Sequence, residues 1–250
     1  MTESQSGSAR DAEVEWVPSV GQPWQWQLSG ELDLSVDVPV YDLDWETTSA
    51  ETVAELHDQG RRVICYVSVG TWESYRPDAD DYPESVRGKT LADWPDERWV
   101  DVRRLDVLGP LLQARLDVCR TKGFDAVEPD NVDAYSNDSG FPLTPEDQLT
   151  FNRWVAGEAR SRGMSVGLKN DLDQVADLVG DFDFAVNEQC MEYDECDRLQ
   201  PFLDAGKAVL HVEYGVTPEE FQAMDVPAGF SSMLKNRDLD AFRVARSAGG

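Results

Sequence analysis

Short apolar runs alternate along the chain with longer stretches in which apolar residues recur at helical spacing. The runs are nearly continuous and rich in Val, Ile and Phe, which is typical of parallel strands covered on both faces. Eight runs stand out, at 38–45, 62–70, 98–102, 124–130, 164–170, 182–188, 207–214 and 231–236. This alternation predicts a parallel sheet with helices packed on its outside.

The stretches between the runs carry signals for helix starts and ends. Thr144-Pro145 followed by two acids predicts a helix start, and Gly163 predicts the end of that helix. Thr217-Pro218 repeats the same start signal. A strand followed by a helix, eight times over, predicts the α/β fold called a (β/α)8 TIM barrel. A doubly wound open sheet is the alternative fold with the same alternation.

The barrel accounts for nearly the whole chain as a single domain. We expect a flexible N-terminal segment at 1–15 and the barrel domain at 16–250. The aromatic-rich insert at 71–97 is predicted to form a loop over the mouth of the barrel. Trp24 and Trp26 alternate on a strand-like segment, where a role in the barrel core is favoured over sugar stacking.

The charge of the chain narrows the choice of partners. It has 22 Lys and Arg against 49 Asp and Glu, a formal charge of −27. Such an excess repels phosphate backbones and anionic lipid, so we expect neither nucleic-acid binding nor membrane insertion, whereas a cationic ligand would be attracted. The acidic surface is equally compatible with a salt-tolerant host or with simple solubility. We expect a monomer.

Polar or ionisable groups stand at the end of nearly every apolar run. In a barrel these ends converge on one face, so a polar cleft lined by carboxylates is predicted there. The residues at these positions are Asp42, Asp44, Tyr66, Ser68, Asp101, Arg103, Glu128, Asp130, Lys169, Asn170, Asn187, Glu188, Glu213, Tyr214, Lys235 and Asn236. Asp101 and Arg103 could equally pair with each other structurally.

Other catalytic templates are missing from the sequence. It has no HExxH or GxGxxG motif, no nucleophile elbow around Ser68 and no EF-hand spacing in PDNVD, so we expect no metal and no cofactor. Paired carboxylates remain, and these are the machinery of glycoside hydrolysis.

Several longer motifs resemble one known family. VYDLDW, ICYVSVGTWESYRPD, GFDAVEPDNVDAY, FPLTPEDQLTFNRW, VGLKND, NEQCMEYDEC and HVEY are similar to glycoside hydrolase family 114, the endo-α-1,4-polygalactosaminidases. The resemblance covers about residues 24–236 and implies a β/α barrel that cleaves a cationic, galactosamine-rich polysaccharide. It places the catalytic pair at Asp130 and Glu188. By analogy with α-retaining barrels, Asp130 on the fourth strand is the predicted nucleophile and Glu188 on the sixth the general acid/base.

The remaining strand-end groups are candidates for substrate binding. They are Asp42, Asp44, Tyr66, Glu128, Lys169, Asn170, Asn187, Glu213 and Tyr214. A non-catalytic carbohydrate-binding or biofilm-interaction barrel, an exo-acting enzyme and an α-glycosidase of other linkage stay open as alternatives. The presence of both Asp130 and Glu188 favours the enzyme.

Four cysteines allow three pairings, and the sequence does not choose among them. A Cys190–Cys196 bridge would fix the loop after Glu188, and Cys65 and Cys119 could form the second bridge. Disulfides persist in oxidising compartments, so these bridges would accompany secretion. The first residues lack the features of a signal peptide, so we expect either a secreted protein without its leader or a cytoplasmic one.

Overall fold

The structure, a computed structural model, describes residues 13–246. Eight parallel strands around one axis form its centre. The strands are β1 Trp24–Gln27, β2 Val40–Asp44, β3 Arg62–Ser68, β4 Thr71–Glu73, β5 Arg87–Thr90, β6 Glu97–Val100, β7 Ala126–Asp130, β8 Ser165–Lys169, β9 Phe184–Glu188, β10 Val209–Glu213, β11 Phe230–Leu234 and β12 Val244–Ala245. The main sheet has the order β1-β2-β3-β7-β8-β9-β10-β11-β12, antiparallel only at β12. The barrel prediction is confirmed. Most of the predicted flexible segment at 1–15 lies outside the described residues.

The helices are α1 Ala50–Asp58, α2 Leu105–Lys122, α3 Pro145–Ser161, α4 Val175–Leu178, α5 Gln200–Asp204 and α6 Pro218–Ala223. Two of them, α3 and α6, begin where the local signals predict. Short 3-10 turns occupy Ala79–Asp81, Glu84–Val86, Ala134–Ser136, Leu172–Gln174 and Cys196–Leu199. Thr144 and Thr217 cap α3 and α6 through reciprocal bonds with the acid three residues on. Within residues 13–246, the helices are all too short or too polar to cross a bilayer.

Two predictions about the strands are wrong, and they compensate each other. The run at 98–102 is not a barrel strand: β6 pairs antiparallel with β4 and β5 in a separate three-stranded sheet. The first barrel strand is instead β1, whose WQWQ sequence alternates and so lacks a continuous apolar signature. Because one strand was missed and one added, Asp130 still ends the fourth barrel strand and Glu188 the sixth.

The repeat of strand and helix is also less regular than predicted. No helix joins β1 to β2, and six α-helices rather than eight are present in the described part of the chain. A first apolar cluster packs the outer face of the sheet against the helices, while a second fills the barrel. Trp24 and Trp26 are each 1% exposed and stack on each other inside the barrel. They belong to the core, as favoured from the sequence.

The two edges of the curled sheet meet through turns and side chains. The Trp24 indole donates a hydrogen bond to the Ser231 carbonyl at 2.7 Å, and the Gly21 N–H donates to the Gly229 carbonyl at 3.1 Å. At the other end the Leu28 N–H donates to the Leu239 carbonyl at 2.9 Å. These contacts bring β1 beside β11 and close the barrel.

Both candidate disulfides are present. Cys65–Cys119 joins β3 to α2, with Cα atoms 6.1 Å apart, so a bridge between strand and helix is geometrically allowed here. Cys190–Cys196 closes the loop directly after Glu188, with Cα atoms 4.8 Å apart.

Candidate active site

The loops that follow three barrel strands turn sharply at their first residue. Asn131, Asn170 and Gln189 come directly after β7, β8 and β9, and all have positive φ, at 61°, 48° and 64°. Asn tolerates this left-handed conformation, whereas for Gln it is less common. Residues in this conformation concentrate at functional sites. The turns carry the chain away from the axis and leave the last side chain of each strand facing the barrel mouth.

Lys169 at the end of β8 is the centre of the site. Its ammonium nitrogen lies 2.9 Å from Asp130 Oδ1, 3.0 Å from Glu188 Oε2 and 3.4 Å from Glu128 Oε1. Burial disfavours its charge, but Asp130, Glu188 and Glu128 more than offset this, and its pKa is raised well above the ordinary value. Lys169 is therefore a buried, permanently charged cation that bridges the predicted catalytic pair.

Asp130 is held as a carboxylate by three donors. The Tyr66 hydroxyl donates to Oδ2 at 2.7 Å, and Lys169 Nζ and the Asn131 N–H donate to Oδ1 at 2.9 and 2.8 Å. Burial pushes the pKa of Asp130 upward, but the charge of Lys169 and these hydrogen bonds outweigh it, so the pKa lies below the ordinary value. Asp130 is ready to act as an anion.

Glu188 faces the same opening from β9. The Tyr214 hydroxyl donates to Oε1, and the Glu188 N–H donates to Asn170 Oδ1 at 2.9 Å, which fixes the strand end. The Glu188 side chain is 26% exposed and that of Asp130 17%, against 3% for Lys169. Both carboxylates are therefore accessible to a substrate, while the bridging cation lies beneath them.

A second pair of acids lies one layer deeper in the barrel. Asp42 and Glu128 are both fully buried, and burial raises the pKa of each. The charge of Glu128 adds to the rise at Asp42, and the charges of Asp130 and Glu188 add to the rise at Glu128. Lys169 Nζ is the only cation within 4 Å of either carboxylate in the described residues. The pair therefore favours holding a proton at neutral pH. Its depth keeps it away from a sugar, so it supports the site from below.

An open cavity of about 700 Å³ lies above the pair. Its lining is mostly polar and strongly acidic, and it contains Tyr66 and four further aromatic side chains at the wall and rim. The acids are Asp44, Glu46, Asp93, Glu97, Asp130, Asp133, Glu188 and Asp238, and the rim and wall aromatics are Tyr75, Trp94, Trp99 and Tyr193. The cavity is a suitable container for a polar, positively charged ligand.

The insert covers this mouth, as predicted, but as a folded sheet rather than a loop. Its close fit against the barrel depends on Gly70, where an added Cβ would lie 1.6 Å from the Asn131 carbonyl oxygen. The Val69 and Gly70 N–H groups donate to the Asp130 carbonyl at 3.1 and 3.2 Å. The insert is thereby attached directly beside Asp130 and supplies one wall of the cavity.

Buried arginines hold the insert on the barrel. Arg76 makes a bidentate bond to Asp44 at 2.7 and 3.0 Å and a further bond to Glu73 at 2.8 Å. Arg115 of α2 reaches Glu73 at 3.0 Å and Asp78 at 2.7 Å. Asp44 lines the cavity, but its carboxylate is already engaged by Arg76.

The structure divides the predicted substrate-binding residues into groups. Four line the main cavity: Asp44, Tyr66, Lys169 and Asn170. Tyr214 contacts Glu188, and Asn187 lines a smaller neighbouring cavity of about 280 Å³. Asp42, Glu128 and Glu213 are buried below the mouth; Glu213 Oε1 contacts His211 at 2.8 Å and accepts from the Met191 N–H at 2.9 Å. Asp101 and Arg103 pair with each other at 2.8 Å.

The cavity also contains residues that the strand-end argument missed. Among them are Asn131, Asp133, Gln189 and Tyr193 in loops, Trp99 in β6, and Tyr75, Trp94 and Glu97 in the insert. Only the aromatic richness of the insert hinted at the latter group. One potential metal-ligating cluster exists in the described residues, Cys190, Cys196 and His211, but its sulfur atoms form a disulfide and the His211 ring contacts Glu213.

Comparison with known proteins identifies the family. The sequence model of glycoside-hydrolase family GH114 matches residues 5–249. The crystal structure of Aspergillus fumigatus Ega3 in complex with galactosamine is similar, with a TM-score of 0.89, 38% identity, and coverage of 94% of this chain and 98% of that chain. The glycoside hydrolase domain of PelA from Pseudomonas aeruginosa shares the fold at 15% identity, with a TM-score of 0.72, over 90% of this chain and 98% of that one. No curated protein sequence matches. The chain therefore belongs to glycoside-hydrolase family GH114 and is a glycoside hydrolase.

Proposed function

We propose that the protein is an endo-acting α-1,4-galactosaminidase that cleaves a partly deacetylated galactosamine polymer with retention of configuration. Asp130 is the nucleophile and Glu188 the general acid/base. The observation that carries this proposal is the bridging of the two carboxylates by Lys169 at the floor of an acidic cavity.

The spacing of the pair supports a retaining mechanism. Because Asp130 Oδ1 and Glu188 Oε2 lie 2.9 and 3.0 Å from the same nitrogen of Lys169, they are at most about 6 Å apart. Retaining glycosidases hold their carboxyl groups about 5 to 5.5 Å apart, whereas inverting ones need about 6.5 to 9.5 Å to admit a water molecule. This limit applies to the two oxygens nearest Lys169, and it is compatible with the separation of a retaining pair.

The environments of the two acids support their roles. Asp130 has three donors and a lowered pKa, which suits a nucleophile that must be ionised. It attacks the anomeric carbon while the glycosidic oxygen takes the proton of Glu188 and leaves. The resulting ester on Asp130 is cleaved by water, whose proton returns to Glu188. Glu188 is the more exposed of the pair, and this gives the leaving group and the water access to it.

The charge of the cavity supports the choice of substrate. Deacetylated galactosamine units are cationic near neutral pH, and eight acidic side chains line the opening. The similar protein Ega3 was crystallised with galactosamine, at 38% identity to this chain. The two disulfides support a secreted enzyme, since such bridges persist in oxidising compartments. One chain supplies both carboxylates, which is consistent with a monomer.

Reducing-end release from partly deacetylated galactosaminogalactan, with sizing of the products, tests this function. We expect a ladder of oligosaccharides from the beginning of the reaction. Single sugars alone would indicate an exo-acting enzyme. Binding of the polymer without release of reducing ends would favour the non-catalytic carbohydrate-binding barrel and contradict the proposal.

A further inference from the structure

Glu97 occupies an unusual position in the wall of the cavity. It begins β6 and pairs across the small sheet with Glu73 of β4, so two acids stand directly opposite each other. Both are buried, with Glu97 8% and Glu73 0% exposed. Like charges opposite each other destabilise a sheet, and burial adds to that cost. Such a pair needs cations to offset this cost, either from the protein or from a ligand.

Of these two acids, only Glu73 forms ion pairs within the described residues; the charge of Arg76 acts on Glu97 only from a greater distance. Glu73 receives Arg76 at 2.8 Å and Arg115 at 3.0 Å. In the described residues, no lysine or arginine lies within 4 Å of the Glu97 carboxylate. Its donors are the hydroxyls of Thr71 at 2.9 Å and Tyr75 at 3.5 Å, which are neutral.

The uncompensated carboxylate belongs to the cavity that holds the catalytic pair. Tyr75, Trp94 and Trp99 line the same wall. An ammonium group placed there would donate a charge-assisted hydrogen bond to the carboxylate and make favourable contact with aromatic faces. A neutral acetamide would gain neither the charge nor the cation–π attraction.

We propose that Glu97 is a specificity-determining residue that binds the ammonium group of a deacetylated sugar unit in the cavity. This proposal rests on the galactosaminidase function proposed above. Within the described residues this carboxylate of the insert forms no ion pair, and the substrate supplies the missing cation.

The protonation of Glu97 agrees with this role. Burial first, and then the charge of Glu73, raise the pKa of Glu97 to about 7, against the opposing hydrogen bond from Thr71. A neighbouring ammonium favours the ionised form. Glu97 therefore holds a proton more readily than an ordinary glutamate when the cavity is empty, and a bound cationic sugar shifts it toward the anion.

Calorimetric titration with two α-1,4-linked oligosaccharides tests the assignment, one of galactosamine and one fully N-acetylated. Hydrolysis is prevented by working with Asp130→Asn, alone and combined with Glu97→Gln. Glu219→Gln, on the exposed first turn of α6, is the matched control because it removes one negative charge from a residue that lines neither cavity. We expect Glu97→Gln to weaken binding of the galactosamine oligosaccharide about 10- to 100-fold, the range for a hydrogen bond to a charged group. Binding of the acetylated one should change less than about twofold, and the control should change neither.

A purely structural role predicts something different. Replacing Glu97 by Gln removes a like-charge pair, so the melting temperature should stay or rise, whereas a structural role requires it to fall. Equal weakening of both oligosaccharides, or no weakening of either, would overturn the proposal. The reducing-end release assay separates the proposed function from the role of Glu97. If the wild-type enzyme cleaves the polymer while the Glu97→Gln variant keeps its full preference for the galactosamine oligosaccharide, only the role of Glu97 is wrong.

Discussion

Two clusters of buried charge lie about the cavity, and they are compensated very differently. In the insert network, Arg76 and Arg115 bind Asp44, Glu73 and Asp78, mostly through bidentate or shared bonds. In the floor cluster, a single cation, Lys169, faces four acids: it contacts three of them within 4 Å and acts on Asp42 through its charge. The four are Asp42, Glu128, Asp130 and Glu188.

The difference distinguishes charges that hold the fold together from charges that set the protonation of reactive groups. Buried ion pairs with well-satisfied geometry hold segments together, and breaking one leaves an unpaired charge at high cost. Too many acids around one cation instead push pKa values apart, so that some carboxyls hold protons while Asp130 stays ionised. We expect substitutions in the insert network to affect folding and those in the floor cluster to affect turnover.

The largest expected effect comes from the proposed catalytic pair, Asp130 and Glu188. Asp130→Asn and Glu188→Gln keep the shape of each side chain but remove the nucleophilic charge or the transferable proton. We expect kcat to fall about 1,000-fold or more in each variant. The melting temperature should change little because Lys169 keeps other carboxylate partners. Near-normal activity in either variant would show that the assignment is wrong, and loss of folding in both would make the pair structural.

A substitution in the insert network should act on stability instead. Arg115→Met removes a 1%-exposed guanidinium and leaves Glu73 and Asp78 with fewer partners. We expect a loss of about 3 to 5 kcal/mol in the free energy of unfolding. The matched control is Arg153→Met, whose pair with Asp181 is exposed, and it should change the free energy by less than about 0.5 kcal/mol. Denaturant titration measures both, and equal effects would contradict the comparison.

Removing the bridging cation should affect both activity and its pH dependence. In Lys169→Met, Asp130 loses the charge that lowers its pKa, so the nucleophile becomes protonated at higher pH. We expect kcat to fall about 100-fold near pH 6. Because raising the pH restores the carboxylate, the loss should shrink as the pH increases. A loss that is the same at every pH would mean that Lys169 acts on something other than the ionisation of Asp130.

The smallest expected effect is that of salt on the wild-type enzyme. If the acidic cavity attracts a polycation, salt should lower kcat/KM several-fold on amine-bearing polymer through screening over about 8 to 10 Å. The value of kcat should change much less, since it depends on groups in contact. A salt-adapted surface predicts the opposite, with activity and melting temperature rising together. An increase in kcat/KM with salt on both amine-bearing and acetylated polymer would remove the steering argument.

Local signals in the sequence predict the parts of the fold that depend on near neighbours. In the caps of α3 and α6, each Thr bonds to an acid three residues further along the chain. Both caps can therefore be predicted directly from the sequence. Continuous apolar runs revealed most barrel strands. The first strand was recognised as strand-like but not counted among the barrel strands, because its two Gln residues interrupt the apolar pattern. Both are buried in the structure, and the Gln27 amide donates to the Glu31 carbonyl at 2.8 Å.

The residues that we propose as catalytic follow from the convergence of strand ends in a barrel, and the family resemblance selects two of them. The floor beneath them was harder to predict. Whether Asp42 reaches the cavity or lies below it depends on its depth within the barrel rather than on its neighbours in sequence. Glu97 was missed because the run at 98–102 was predicted as a parallel barrel strand. In the structure this segment pairs antiparallel with β4, which places Glu97 opposite Glu73.

The configuration of the first product tests the central claim most directly, namely that Asp130 and Glu188 form a retaining pair bridged by Lys169. Proton NMR during hydrolysis of an α-1,4-galactosamine oligosaccharide reports the anomer released before mutarotation. A pair no more than about 6 Å apart predicts that the α-anomer appears first and the β-anomer grows in later. Initial release of the β-anomer would mean direct attack by water and would contradict the account.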